Sequence, residues 1–161
     1  MVLPDLLAPG LEVVFCGTAV GAASAREGAY YAGPGNSFWS ALHEAGFTPF
    51  KFQPSNYKQL LGLRLGLTDL VKRVSGNDDA LEKGHFDRER LTASILTFRP
   101  KILAFTGKRA AQEFVGRGVE YGRLDTVGDT MLFVLPSPSG SARKYWSIEP
   151  WKELSRLRSL K

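Results

Sequence analysis

A glycine-bracketed segment, Gly17-Thr18-Ala19-Val20-Gly21, follows a short apolar run near the start of the chain. Gly17 and Gly21 have no Cβ atom, so they can take positive φ and let a ligand approach the main chain, whose amides can donate hydrogen bonds. Thr18 supplies one hydroxyl group, and the segment contains no carboxylate, carboxamide or imidazole. The pattern predicts a site that binds through its backbone, or a tight turn whose glycines serve backbone geometry alone.

A second candidate segment, Pro136-Ser137-Pro138-Ser139-Gly140-Ser141-Ala142-Arg143, combines stiff prolines with small hydroxyl groups and one cation. Such a loop can enter a nucleic-acid groove, although Ser-Pro-Ser-Gly is also common turn chemistry. Lys108, at a predicted helix start, can hold a phosphate or can simply be solvated. Tyr30 and Tyr31 can stack on a planar ring or pack in the core. His43 and His85 have no evident partner for metal binding or nucleophilic catalysis.

Apolar periodicity and its glycine and proline boundaries predict the elements that position these segments. Buried strands are predicted at 13–16, 101–106 and 130–135, and helices at 36–45, 54–63, 87–98, 107–115 and 148–160. The stretch 66–71 is a short element or a loop, and 77–86 is polar and irregular at its start.

Because strands and helices alternate, the sequence predicts an α/β fold with a mostly parallel sheet covered on both faces. Ligands bind to such sheets beyond the carboxyl ends of the strands. The loops 17–24, 106–109 and 136–143 are therefore expected to converge at one edge of the sheet.

Composition allows one compact domain over residues 1–161, because 43% of the residues are hydrophobic and 11% are aromatic. Disordered and fibrous classes are excluded. The excess of 21 Lys and Arg over 16 Asp and Glu gives a formal net charge of +5. This charge favours an anionic partner, nucleic acid before membrane, and it fits an ordinary basic protein equally well.

Cys16 is the single cysteine, so neither a disulfide framework nor a set of zinc-binding thiolates is expected. No apolar run approaches the roughly 18 residues of a membrane span, and the N-terminus does not resemble a secretion signal. These features predict a cytoplasmic protein with no membrane partner. The Gly17 segment lacks the lysine of a P-loop and the spacing of a dinucleotide fingerprint, so no nucleotide cofactor is expected.

Four segments together carry a resemblance: residues 8–17 (APGLEVVFCG), 36–39 (NSFW), 45–48 (AGFT) and 136–140 (PSPSG). In order and spacing they resemble the mismatch-specific uracil and thymine DNA glycosylase family, from about Leu7 to about Arg143. The resemblance implies the uracil DNA glycosylase fold, a three-layer α/β/α arrangement with a parallel four-stranded sheet between helices. It also implies hydrolysis of the N-glycosidic bond of a flipped deaminated base, without metal or cofactor, as the first step of base excision repair.

Two of these segments depart from the family pattern. Where the family reads Gly-Ile-Asn-Pro-Gly, Ala19 replaces the asparagine that positions the attacking water, and a methyl group cannot hold water. Where the family reads Asn-Pro-Ser-Gly-Leu-Ser, Ser137 replaces an asparagine and Ser141 replaces a leucine wedge. The small wedge predicts weaker dependence on an opposing guanine and action on single-stranded DNA, where unstacking costs least.

The resemblance also implies roles for particular residues. Asp69, in a segment that resembles one lining the family's pocket, is expected to orient the water and offset positive charge on the sugar. The alternatives are that Asp69 caps a helix or pairs with Lys72 or Arg73 at the surface. Ser137 is the second expected catalytic residue. Substrate contacts are expected from Gly17, Thr18, Ala19, Val20, Gly21, Ser24, Tyr31 and Asn36. DNA contacts are expected from Lys108, Ser139, Gly140, Ser141 and Arg143.

The implied partner is DNA that contains uracil or another deaminated base, bound by a monomer associated with a bacterial nucleoid. An active glycosylase is the favoured interpretation. A catalytically silent binder of deaminated or damaged DNA is the alternative, because Ala19 and Ser137 stand where the family has asparagines. A small-molecule nucleoside hydrolase also fits the expected pocket.

Overall fold

The computed structural model describes residues 2–76 and 86–159, and its centre is one β-sheet. The strands are β1 (Val13–Gly17), β2 (Leu65–Asp69), β3 (Ile102–Phe105), β4 (Gly122–Val127) and β5 (Thr130–Val134). Their order is β2-β1-β3-β5-β4. The first four strands in this order are parallel, and β4 pairs with β5 in antiparallel fashion at the edge.

Helices cover both faces of the sheet. They are α1 (Ala22–Glu27), α2 (Phe38–Glu44), α3 (Arg88–Phe98), α4 (Lys108–Val115) and α5 (Glu149–Arg158), with 3₁₀ helices at Pro54–Leu63 and Gly140–Tyr145. Within the described residues, every helix is too short or too polar to cross a lipid bilayer.

Side chains of β1 alternate between two apolar clusters, because successive strand residues point to opposite faces. Val13 and Phe15 pack in the cluster that contains residues of α2 and α5. Val14 and Cys16 pack in the cluster that contains residues of α3 and α4. The three-layer α/β/α architecture expected from the sequence is therefore confirmed.

The elements differ from the predicted ones in four places. The helix predicted at 54–63 is a 3₁₀ helix, and the ambiguous stretch 66–71 contributes most of the parallel strand β2. Neither α1 nor β4 was predicted, and β4 adds a fifth strand to the four parallel strands that the resemblance implies. The side chains of β4 are half-buried or exposed, so this edge strand lacks an apolar signal in the sequence. Residues 77–85 and Leu160, which belong to predicted segments, lie outside the described residues.

The four parallel strands end level, to within one residue, at one edge of the sheet. Gly17 pairs with Asp69 across β1 and β2, and Cys16 pairs with Phe105 across β1 and β3. Phe105 in turn pairs with Val134 of β5. The segments that follow these strands therefore emerge side by side, as the rule for parallel sheets predicts.

Trp151 of α5 links the core to this edge. The ring is fully buried and stacks on Phe15 with centroids 5.9 Å apart, and its Nε1 donates a 3.2 Å hydrogen bond to the Pro136 carbonyl. We expect Trp151→Ala to lower the free energy of unfolding by about 3–5 kcal/mol, as large-to-small core substitutions do. Urea denaturation measures the change. Phe50→Ala, at a ring that is 55% exposed, is the control and should cost less than about 1 kcal/mol. Equal losses in the two variants would contradict this assignment of the core.

Candidate active site

A cavity of about 950 Å³ opens at the carboxyl ends of the parallel strands. The three loops predicted to converge all contribute to its wall, as do Tyr31, Asn36 and Asp69. Each substrate-contact residue expected from the sequence lines this cavity, and so does each expected DNA-contact residue except Arg143. The guanidinium of Arg143 lies next to Gly35, which is itself part of the wall.

Asp69 ends β2 directly beside Gly17, and it is only 3% exposed. A Cβ atom at Gly17 would lie 2.9 Å from Asp69 Oδ1, 3.3 Å from Tyr31 Oη and 3.5 Å from Thr106 Oγ1. Three side-chain oxygen atoms therefore converge above the main chain of Gly17, which has no side chain of its own. Gly17 is required because of this close approach, not because of positive φ, and Gly21 is also extended, with a φ of −73°.

Asp69 belongs to an ionic network whose members are buried or half-buried. Lys72 Nζ lies 3.4 Å from Asp69 Oδ2 and 2.9 Å from Asp5 Oδ1, and the lysine is only 6% exposed. Arg90 Nη1 lies 3.2 Å from Asp5 Oδ2, and its Nη2 donates to the Asp69 carbonyl oxygen. Thr68 Oγ1 donates a 2.8 Å hydrogen bond to Asp5. The negative charges of the two carboxylates and the positive charges of the two cations therefore balance next to the cavity.

This geometry excludes a helix cap at Asp69 and places its pairing with Lys72 in the interior. The residue lies at a strand end, so it is not a helix cap, and its partner Lys72 is buried with it, so the pair does not lie at the surface. Oδ2 faces the lysine, and Oδ1 faces the space above Gly17.

Burial raises the pKa of Asp69 to about 6, against the opposing effect of the Lys72 ammonium. The Asp5 carboxylate also raises the pKa of Asp69, and Arg90 lowers it. Asp69 is consequently a carboxyl group that loses its proton near neutrality, in the range where proton acceptors operate well.

Tyr31 forms one side of the cavity. Its ring stacks on Phe38 with centroids 3.9 Å apart and an interplanar angle of 14°, and its φ is +53°. Tyr31 Oη is 3.0 Å from Thr106 Oγ1. Burial and the Asp69 charge raise the pKa of Tyr31 well above its usual value, so the phenol stays neutral and serves as a hydrogen-bonding group. Tyr30, by contrast, is fully buried in the core.

The turn after β1 is held through its carbonyl groups. The carbonyls of Gly17, Thr18 and Val20 accept hydrogen bonds from the amides of Leu70, Val71 and Gly76. Among the described residues, no main-chain carbonyl accepts a hydrogen bond from the amides of Ala19 and Gly21. Both residues line the cavity, so these two amides remain candidate donors to a ligand. Ser24 stabilises the nearby backbone, because its Oγ accepts a 2.9 Å hydrogen bond from the Ala32 amide.

Asn36 supplies a carboxamide that the turn itself lacks. Its Oδ1 accepts a 2.9 Å hydrogen bond from the Phe38 amide at the start of α2. Within the described residues the Nδ2 group donates no hydrogen bond, and Asn36 lines the cavity. The side chain is thus anchored at its oxygen and can offer its NH₂ group to a ligand.

The loop after β5 packs against the segment that precedes α2. The Pro138 carbonyl accepts hydrogen bonds from the Ser37 amide at 2.9 Å and from Ser37 Oγ at 3.2 Å. A Cβ atom at Gly140 would lie 3.1 Å from the Gly35 carbonyl oxygen, so a side chain here would press on the Gly35 backbone.

The hydroxyl groups of this loop are partly engaged within it. Ser137 Oγ accepts the Ser139 amide at 3.2 Å, and Ser139 Oγ lies 2.9 Å from Ser141 Oγ. The exposed Arg143 follows within the 3₁₀ helix Gly140–Tyr145. The rigid loop predicted for 136–140 therefore runs directly into a helical turn.

Several cavity residues were not predicted. Thr106 directly follows β3 and lies in the loop 106–109 that was expected at this edge, but the sequence analysis gave it no role in the site. Tyr121 and Tyr145 are exposed aromatic residues of the cavity wall, and no sequence pattern distinguishes them. Lys108 Nζ lies 4.5 Å from the Tyr121 ring centroid and 3.8 Å from Glu120 Oε2, so the lysine is half-buried and has partners at the start of α4. The described residues contain no cluster of His, Cys, Asp or Glu that could hold a metal ion.

Comparisons with known proteins agree with this architecture. A family model described as the uracil DNA glycosylase superfamily matches residues 4–161. The structure is also similar to the solution NMR structure of "a putative Uracil DNA glycosylase from Methanosarcina acetivorans". The two chains share 22% identity with a TM-score of 0.65, over 98% of this chain and 97% of the other. The structural likeness supports the fold, and the family match supports a uracil-DNA-glycosylase-like function with DNA as the partner.

The ionic network predicts how the pKa of Asp69 responds to its neighbours. Because the Lys72 ammonium lowers that pKa, Lys72→Met should raise it further above about 6. Titration of the side-chain carboxyl by ¹³C NMR measures the shift. Lys72→Arg keeps a cation and should restore most of the original pKa. Lys101→Met is the control, because Lys101 Nζ donates to the Arg158 carbonyl at the other end of the sheet. An Asp69 pKa that stays constant or falls in Lys72→Met would refute the assigned coupling.

Proposed function

Because the chain belongs to the uracil DNA glycosylase superfamily, we propose that it hydrolyses the N-glycosidic bond of uracil, and of other deaminated bases, in DNA. The observation that carries the proposal is the convergence of Asp69 Oδ1, Tyr31 Oη and Thr106 Oγ1 above Gly17. This buried group of oxygen atoms lies in the wall of a cavity large enough for a nucleotide base.

In the proposed mechanism, Asp69 positions the attacking water molecule. Ala19 has only a methyl group and Thr18 supplies a single hydroxyl, so the turn after β1 offers no carboxylate or carboxamide to hold the nucleophile. The Asp69 carboxylate orients a water molecule through Oδ1 and offsets positive charge on the sugar as the glycosidic bond breaks. The water oxygen bonds to C1′, its proton passes to the carboxylate, and the bonding electron pair leaves with the base. The products are a free base and an abasic site.

The cavity wall binds the departing base. The amides of Ala19 and Gly21 and the NH₂ group of Asn36 donate hydrogen bonds to base oxygens, where negative charge develops. Ser137 contributes its hydroxyl proton, since its Oγ accepts from the Ser139 amide and still has a proton to donate. The Tyr31 ring, with Phe38 on one face, covers the base with the other.

Arg143, Lys108 and the loop residues Ser139, Gly140 and Ser141 contact the DNA backbone next to the cavity. Because Ser141 is small, the loop fills little of the gap that an extruded base leaves in a duplex. Extrusion from single strands is cheaper, so unpaired uracil is a good substrate.

The direct test is cleavage of oligonucleotides that each carry one deoxyuridine, hypoxanthine, xanthine or thymine, after conversion of abasic sites to strand breaks. Wild-type protein should release uracil, and Asp69→Asn should lower the single-turnover rate by at least about 100-fold while DNA binding is retained. Asp129→Asn is the matched control, because Asp129 is an exposed partner of Arg99 far from the cavity. Binding without release of any base would identify a silent binder instead. Cleavage of free deoxyuridine faster than of DNA would identify a nucleoside hydrolase.

The pH dependence follows from the raised pKa of Asp69. If the carboxylate positions the water, the single-turnover rate should rise with pH up to about 6, the pKa of Asp69, and then level off. Asp69→Asn should lose this dependence, since it has no titrating group at that position. A rate that increases as the pH falls below 6 would assign the protonated form, and the proposed role of Asp69 would then be wrong.

A further inference from the structure

Two exposed tyrosines stand in the wall of the same cavity. Among the described residues, the large exposed hydrophobic side chains are Phe50, Leu96, Tyr121 and Tyr145. Only the two tyrosines of this set line the cavity. Exposed aromatic rings cost free energy in water, so their location at a binding site points to a ligand that covers them.

Tyr145 is the more exposed of the two. It is the last residue of the 3₁₀ helix Gly140–Tyr145, and 62% of it is accessible to solvent. The ammonium of Lys144 lies 5.3 Å from its ring centroid. The helix begins at Gly140, which packs on Gly35, and it carries the ring at its far end.

Tyr121 has the same kind of neighbour. It precedes β4 and is 37% exposed, and the ammonium of Lys108 lies 4.5 Å from its ring centroid. The two tyrosines come from different elements, yet each combines an aromatic face with a lysine. This combination of ring and ammonium occurs twice in the wall of one cavity.

An aromatic ring with an adjacent ammonium group can bind one nucleotide, the ring through its base and the ammonium through its phosphate. A base stacks on an aromatic face whatever its identity, while the adjacent cation neutralises a phosphate. Within a duplex, both faces of a base are already covered by neighbouring bases, so such rings have little to bind there. Unpaired bases leave these faces available. The pattern of Tyr with Lys therefore suits a single strand better than a duplex.

We propose that Tyr121 and Tyr145 are stacking platforms for unpaired bases that neighbour the nucleotide in the cavity, so that single-stranded DNA is the substrate class this surface binds. The inference rests on the proposed function for the occupant of the cavity, but the two tyrosines act on flanking nucleotides and take no part in bond cleavage. DNA rather than RNA is assigned because the chain belongs to a superfamily of DNA glycosylases.

The test measures equilibrium binding of a fluorescent oligothymidylate without uracil, as a single strand and annealed to its complement. Tyr145→Ala should weaken binding of the single strand by about tenfold, and the double variant with Tyr121→Ala by more, since each base stack contributes separately. Duplex binding should change by less than about twofold. The salt dependence of single-strand binding should keep its slope, because no phosphate contact is removed.

Tyr145→Phe and Phe50→Ala complete the design. Tyr145→Phe keeps the aromatic face and should bind as wild type does, whereas Phe50→Ala removes an exposed ring outside the cavity wall and should have no effect. Equal weakening for duplex and single strand, or no weakening in the double variant, would overturn the proposal. Tighter binding of an oligouridylate of the same length would overturn the assignment to DNA.

Excision of uracil is scored separately, so the two proposals can fail independently. If the wild-type protein binds single strands through both tyrosines but releases no base, the proposed stacking role stands and the proposed glycosylase activity is wrong. If the protein releases uracil but binds single strands equally well without the tyrosines, the proposed activity stands and the proposed stacking role is wrong.

Discussion

The balance of charge among buried Asp69 and Lys72 and half-buried Asp5 and Arg90 is the constraint on which the rest of this structure depends. Charges removed from water are costly unless they are paired and hydrogen-bonded. Here each carboxylate contacts a cation, and the network joins the N-terminal segment, β2, the segment after β2 and α3. One carboxylate oxygen, Asp69 Oδ1, is left to face the cavity wall above Gly17. The proposed chemistry therefore depends on a charge that the surrounding fold must stabilise.

Close backbone approaches hold the cavity together on its other sides. Gly17 makes room for the oxygen atoms of Asp69, Tyr31 and Thr106, and Gly140 lets the loop after β5 lie directly on Gly35. The Pro138 carbonyl then accepts both donors of Ser37. A cavity built by such contacts is largely preformed, so binding a base requires little ordering of the loops, and less of the interaction energy is lost to entropy.

A preformed cavity with exposed tyrosines at its wall also explains how a small protein can bind DNA with a modest net charge. The formal charge of +5 supplies general attraction to phosphates. In the proposed function, the aromatic faces supply contacts that do not depend on sequence. The same proposal assigns recognition of the base itself to the main-chain donors and to Asn36 inside the cavity.

The sequence by itself determined the α/β class, three of the strands and the convergence of three loops, because apolar periodicity and glycine and proline boundaries are local properties of the chain. The resemblance of four short segments indicated the family, which the family model matches. The sequence did not reveal β4, because its side chains are half-buried or exposed. It also did not decide whether 66–71 is a strand or a loop, because Gly66 and Thr68 interrupt the apolar pattern there. Tertiary structure alone decided that Asp69 lies beside Gly17, that Lys72 is buried with it, and that Tyr121 and Tyr145 share one cavity. These facts depend on strand register and on contacts between residues far apart in the chain, which no local pattern encodes.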